Sequence, residues 1–363
     1  MKVVSIGRES AADRGVDDAR AAVTAATPAP PPSQDGSAEV GEAALAEVRR
    51  LLAAWMTHEP GARLGSDPEE LHQLRVTARR LDATLGLFKR YLPAPLLRAR
   101  KTAKTLLRSL GATRDLDVQL EGLKACCEAL SEEERLALEP LRERLTHERA
   151  SARARMLRSL DSEATRRWLQ LLATATEAPA ARDAAAQVVT VAAVMPARVR
   201  RRFRRLRKAV RRLRADSSMD DYHKVRRRAK QLRYALESGT FIVGKPAEEM
   251  LKALRRMQDK LGAHQDAWMA RTHLSALAAD PACALPPATL FVMGKLAEHH
   301  ARVTSGTRAT VTKSWRKVRG RRWKALRARL GEYEQHAHDT GDPASPPAAL
   351  LGTGGAAAET RPL

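Results

Sequence analysis

His72-Gln-Leu-Arg75-Val-Thr-Ala-Arg79 recurs as His223-Lys-Val-Arg226-Arg-Arg-Ala-Lys230, 151 residues further along a chain of 363. Self-similarity at a fixed offset constrains the fold more than any single residue does. The same offset carries Lys101 onto Lys252, Lys104 onto Arg255, Leu110-Gly111-Ala112 onto Leu261-Gly262-Ala263, and Asp115 onto Asp266. One helix-loop-helix unit therefore occurs twice without an insertion. Two homologous helical bundles related by a pseudo-twofold axis are predicted.

Helical spacing gives each copy two faces. Leu71, Leu74, Ala78, Leu81 and Leu85 recur at three- and four-residue intervals, and so do Tyr222, Val225, Ala229, Leu232 and Leu236. These stripes are the predicted core. One position later stand His72, Arg75 and Arg79, with Arg80 beside them, and in the second copy His223, Arg226, Lys230 and Arg233. One residue is about 100° around a helix, so the cationic face borders the buried face and can line a groove. The following helix adds Lys101, Lys104 and Arg108 in the first copy, and Lys252 and Arg255 in the second.

Further cations lie in residues 198–214, which hold Arg201, Arg202 and Arg205 among eleven Arg and Lys with no acid, and in residues 313–329, which hold Lys313, Arg316 and Lys317. Arg grips phosphate oxygens bidentately, Lys offers a point charge, and His gains charge as pH falls. Mixed cations with few carboxylates suit a chain of phosphates. The plainer reading of any one such run is a solvated helix face. Repetition in register sets the His and Arg stripe apart.

Composition agrees. Lys and Arg number 65 against 42 Asp and Glu, a formal net charge of +23. Such a field attracts nucleic acid, acidic lipid or inorganic polyphosphate. Aromatic residues make up only 4%, which disfavours stacking of single-stranded bases. Three cysteines, two of them adjacent at Cys126 and Cys127, give no disulfide framework. No apolar tract reaches the ~20 residues that span a bilayer, and no secretory signal is recognised, so cytoplasmic residence without membrane contact is expected. No metal motif, Gly-rich phosphate loop or nucleophile elbow is present, and neither cofactor nor metal is expected.

Pro-rich composition marks residues 1–40 and 339–363 as disordered arms around an all-α body of about ten helices, with halves at 41–178 and 196–338. Ser66 and Ser131 match capping-box spacing with Glu69 and Glu134. Gly111 and prolines 93, 95, 179, 196, 246, 281, 286 and 287 are read as breaks. Asp115 and Asp266, following Leu-Gly, are read as caps of the next helix.

These residues resemble the CHAD domain (conserved histidine α-helical domain). The likeness rests on His72-x-x-Arg75-x-x-x-Arg79-Arg80-Leu81, on His223-x-x-Arg226-x-x-x-Lys230-x-Leu232-Arg233-Tyr234, and on Leu110-Gly111-x-x-Arg114-Asp115-x-Asp117, and covers about residues 41–338. It implies two four-helix bundles around a basic central cavity that binds inorganic polyphosphate, and association with polyphosphate or polyhydroxyalkanoate storage granules and their proteins. Some members carry an N-terminal triphosphatase-type domain; residues 1–40 are too short and Pro-rich for one, so no enzymatic activity is implied. Asp82 stands where the second copy has Arg233, and Gln265 where the first has Arg114. The halves are therefore expected to grip unequally. Sequence-independent nucleic-acid binding is the competing function, and phosphoanhydride hydrolysis the third.

Overall fold

The computed structural model describes residues 39–177, 189–214, 216–237 and 244–339. The N-terminal arm through residue 38, Pro179 and the tail from residue 340 lie outside them. Twelve α-helices are present among the described residues: α1 (Val40–Leu64), α2 (Pro68–Leu87), α3 (Ala94–Cys127), α4 (Glu132–Ala137), α5 (Glu139–Leu160), α6 (Glu163–Glu177), α7 (Val191–Arg211), α8 (Met219–Glu237), α9 (Lys245–Ala279), α10 (Pro287–Ser305), α11 (Thr307–Arg319) and α12 (Arg321–Asp339). A single 3₁₀ turn, Pro281–Cys283, precedes α10. The fold is all-helical, with no strand among these residues.

The offset of 151 survives into three dimensions. Helices α1, α2 and α3 begin at Val40, Pro68 and Ala94, and α7, α8 and α9 begin at Val191, Met219 and Lys245, each 151 residues on. In the first half α1 packs on α2, α2 on α3, α3 on α6, and α6 back on α1. In the second, α7 packs on α8, α8 on α9, α9 on α12, and α12 back on α7. Equivalent helices also meet across the halves, α1 on α7, α2 on α8 and α3 on α9. At the start of each half, Glu39 pairs antiparallel with Thr190, its own equivalent, and the Val40 amide donates to the Val189 carbonyl at 2.9 Å.

Burial follows the predicted stripes. Leu71, Leu74, Ala78, Leu81 and Leu85 of α2 are buried, as are Tyr222, Val225, Ala229, Leu232 and Leu236 of α8. Each buried Leu contributes roughly 1.5–3 kcal/mol relative to exposure. A smaller apolar cluster joins the distal part of α3 and α9 to α5 and α10, through Leu123, Leu141, Leu145, Leu274 and Leu296. The cysteines are free, as the sequence implied.

The structure corrects several local expectations. Helix α3 runs through Gly111 for 34 residues, and α9 through Gly262 for 35, so neither glycine breaks a helix. Asp115 and Asp266 are consequently mid-helix residues and cap nothing. Pro196 lies inside α7. The cap of α2 is Asp67, whose carboxylate accepts the Glu69 amide at 2.8 Å, in place of Ser66. At α4 the capping box stands as predicted: the Glu134 amide donates to Ser131 Oγ at 3.3 Å, and the Ser131 amide to Glu134 Oε2 at 3.1 Å.

Candidate functional site

Where α2 meets α8, a cavity of about 580 Å³ opens, walled also by α3, α7 and α9. The buried Leu faces of α2 and α8 turn away into their own halves, and the neighbouring faces, one position around, turn toward the cavity. Arg75 and Arg79 enter from α2, and His223, Arg226 and Lys230 from α8. Helix α7 adds Arg201, Arg202 and Arg205. With Lys89, Arg100 and Arg227, ten Lys or Arg side chains face three carboxylates, Asp82, Asp115 and Asp266. The surplus is large, and like charges at this density are costly without an anion.

The titration of these groups records that cost. Burial, then Arg79, Arg226, Arg75 and Arg233, depress the Lys230 ammonium to about 6. Burial followed mainly by Arg79 brings Arg75 to about 10, and burial with Arg205 and Arg201 brings Arg202 to about 10. Both guanidiniums remain charged at neutral pH. Burial also lowers His223, with Arg227 adding to it, and lowers His72, where Arg114, Arg75 and Arg79 act in the same direction. Arg75 and Lys230 perturb each other's neighbours across the two halves, so the two stripes share one electrostatic space.

Geometry fixes the two deepest guanidiniums. Arg226 Nη1 donates to the Gln258 carbonyl at 2.7 Å. Arg75 Nη2 lies 3.4 Å from Asp115, and its Nε is buried without a hydrogen-bond partner. Both lie flat against a glycine. A Cβ at Gly262 would stand 2.9 Å from Arg226 Nη1, whereas one at Gly111 would meet Arg75 Nε at an ordinary 3.6 Å. Gly262 thus makes room for Arg226 on a helix that continues past it, whereas at Gly111 a methyl group would sit in ordinary contact with Arg75. Gly262→Ala is expected to displace Arg226 and weaken anion binding several-fold. Gly111→Ala should leave binding within about twofold while raising stability by up to ~1 kcal/mol through helix propensity. Thermal melts with parallel anion titrations of the two variants check the contrast.

The predicted residues divide into three groups. Arg75, Arg79, Arg202, His223, Arg226 and Lys230 line the cavity, and His72, outside the lining, feels the charges of Arg75 and Arg79 on the same helix. Arg80, Arg233 and Arg255 instead approach Glu237, at 3.9, 3.5 and 3.8 Å. Lys101, Lys104, Arg108 and Lys252 stand exposed outside the lining, as do Lys313, Arg316 and Lys317. The last three are excluded because α11 buries Val311, Trp315 and Val318, with Trp315 stacked on Phe203 of α7, and its charges fall on the other side.

Sequence reasoning left out Lys89, Arg100 and Arg227, and named Arg201 and Arg205 only as members of the basic run. The walls are unequal: the equivalents of Arg201, Arg202 and Arg205 in α1 are Arg50, Leu51 and Ala54. Asp82 pairs with Arg100 at 2.9 Å, partly neutralising the α2 side, and Gln265 hydrogen-bonds His223. Among the described residues, no helix is long and apolar enough to cross a membrane, and no group of three or more His, Cys, Asp or Glu is placed to hold a metal ion.

Comparison with known proteins gives a consistent classification. The CHAD domain family model matches residues 46–275, more than half the chain. The chain belongs to the CHAD domain family. Among solved structures, the CHAD domain from the plant Ricinus communis is similar at 25% identity and a TM-score of 0.62, over 77% of this chain and 92% of that one. PptA from Streptomyces chartreusis has the same fold at 20% identity and a TM-score of 0.60, over 77% of this chain and 100% of its own. No curated protein matches the chain.

Proposed function

We propose that this chain is a non-catalytic binder of inorganic polyphosphate, which it holds in the cavity between α2 and α8. The observation that carries the reading is the meeting of Arg75 and Arg79 with Arg226 and Lys230, from two copies of one motif, around a single space. The underlying architecture is two four-helix bundles, α1-α2-α3-α6 and α7-α8-α9-α12, related by a pseudo-twofold axis. It is supported by the two closed rings of helix contacts and by the pairing of Glu39 with Thr190. On that axis equivalent residues face each other, which brings the stripes together.

In the cavity, guanidinium forks of Arg75, Arg79, Arg202 and Arg226 take phosphate oxygens, and Lys230 supplies charge once protonated. His223 donates as well. The three acids are dispersed among arginines, and polyphosphate binding requires no bond cleavage from them. A chain so bound is carried to polyphosphate or polyhydroxyalkanoate granules by its own ligand, in the cytoplasm. Duplex nucleic acid is the competing ligand. A space of about 580 Å³ does not admit a duplex, whose major groove alone is ~12 Å wide and ~8.5 Å deep, so a duplex reaches only outer cations. Titration of the chain with long-chain polyphosphate in the presence of duplex DNA at equal phosphate tests the reading. Polyphosphate is expected to remain bound; displacement by DNA at comparable phosphate concentration would overturn it.

Proton linkage gives a second check. Lys230, held near 6 by burial and by the arginines around it, is mostly neutral at pH 7.5, and a polyanion raises its affinity for a proton. Binding at pH 7.5 should therefore take up protons, and affinity should rise as pH falls toward 6 and level off below it as far as Lys230 is concerned. Calorimetry in buffers of different ionisation enthalpy measures the uptake, which Lys230→Gln should reduce.

A further inference from the structure

We infer that the C-terminal end of α8 carries a second, smaller anion site, which takes a phosphate-sized dianion and is held closed by the carboxylate of Glu237. This site lies in a separate cavity of about 300 Å³ lined by Arg50 of α1, Arg80 of α2 and Arg255 of α9 around Glu237. Among the described residues, Tyr234 alone lines both this cavity and the larger one. The inference therefore rests on different side chains from the polyphosphate reading.

The charge does not balance. Arg50 is satisfied locally, bonding Glu47 at 2.7 and 2.8 Å. Three guanidiniums remain for Glu237: Arg233 at 3.5 Å, Arg255 at 3.8 Å and Arg80 at 3.9 Å. All three distances exceed the 2.7–3.2 Å range of an N–H···O bond. The Nε atoms of Arg80 and Arg233 are buried with no hydrogen-bond partner, an arrangement rare in folded proteins unless a ligand or water completes it. Three positive groups against one carboxylate leave an excess of two charges, and a dianion in place of that carboxylate reduces the excess to one. A phosphate also presents oxygens in several directions, so it can hydrogen-bond guanidiniums on α2, α8 and α9 at once, where the planar Glu237 carboxylate approaches each only to 3.5–3.9 Å. Glu237 occupies the position of such an anion, and a phosphate entering the site displaces it.

The phosphate could be free orthophosphate or the end of a chain held in the neighbouring cavity, and the two sources separate by experiment. The full-length chain carrying glutamine at positions 75, 79, 226 and 230 removes the larger site. In that background, binding of orthophosphate and of tripolyphosphate is measured with and without Glu237→Gln, Arg255→Gln, or Arg80→Gln with Arg255→Gln. Removing the internal carboxylate is expected to tighten orthophosphate binding about tenfold, and removing Arg80 and Arg255 to weaken it by at least as much. The single Arg255→Gln change, at a largely exposed side chain, gives a smaller loss if the double variant does not fold. A response confined to tripolyphosphate assigns the site to a chain end. Unchanged binding of both ligands in every variant, or weaker binding in Glu237→Gln, overturns the inference. Residual long-chain binding in the quadruple background would instead count against the larger cavity, so the two failures are distinguishable.

Discussion

Replacing Arg75, Arg79, Arg226 and Lys230 together by glutamine is expected to weaken binding of long-chain polyphosphate by about 100-fold or more. Hydrogen bonds to charged groups are worth roughly 1.5–3 kcal/mol each, and the loss of four such side chains exceeds the ~2.7 kcal/mol that a 100-fold change represents even with strong non-additivity. Net charge alone does not account for such a loss. Lys313, Arg316, Lys317 and Arg319, exposed on α11, provide the matched control, and their replacement should cost only about fivefold through the long-range field. Misfolding does not account for it either. The four cations crowd one another, and a base such as Lys230, depressed below its ordinary range, opposes folding once pH falls below its unfolded value. That cost is present at neutral pH, so the ligand-free quadruple variant should melt no lower than the parent. Equilibrium binding and thermal melts of the two quadruple variants test both statements.

Salt should act almost as strongly. Ten Lys and Arg against three carboxylates leave a formal surplus of seven charges around the cavity, and a bound polyphosphate releases the counterions it carries in solution. By analogy with nucleic acids, six or so neutralised phosphates correspond to about a 10³-fold loss of affinity between 50 and 200 mM salt. The quadruple variant should show a shallower slope. A weak salt dependence in the parent would mean that few phosphates meet fixed cations, contrary to a lined cavity. The comparison requires only titrations at four or five salt concentrations.

The parts of this molecule that repeat were the parts its sequence disclosed. The offset that aligned His72 with His223 also aligned the starts of three helix pairs, because burial forces the same apolar stripe, Leu71 to Leu85 and Tyr222 to Leu236, to face inward in both halves. Cations one position away then had to border the core. Local punctuation was less legible. Gly111 costs a helix about 1 kcal/mol relative to alanine, which ordinarily marks an end; here tertiary packing carries α3 through it. The fate of Arg80, Arg233 and Arg255 could not be read, since it depends on where Glu237 falls between α2 and α9. Nor could the sequence choose a face for the basic run of α7. Its buried residues Val199, Phe203, Leu206 and Val210 orient the helix, and they leave Arg201, Arg202 and Arg205 on the cavity side.

The convergence of two equivalent stripes on one ligand is tested most directly by a crystal structure of the chain with a short polyphosphate. Phosphate density is expected between α2 and α8, within hydrogen-bond distance of Arg75 and Arg79 from one half and of Arg226 and Lys230 from the other. Density confined to the outer faces of α7 or α11, with the cavity holding only water, would contradict it.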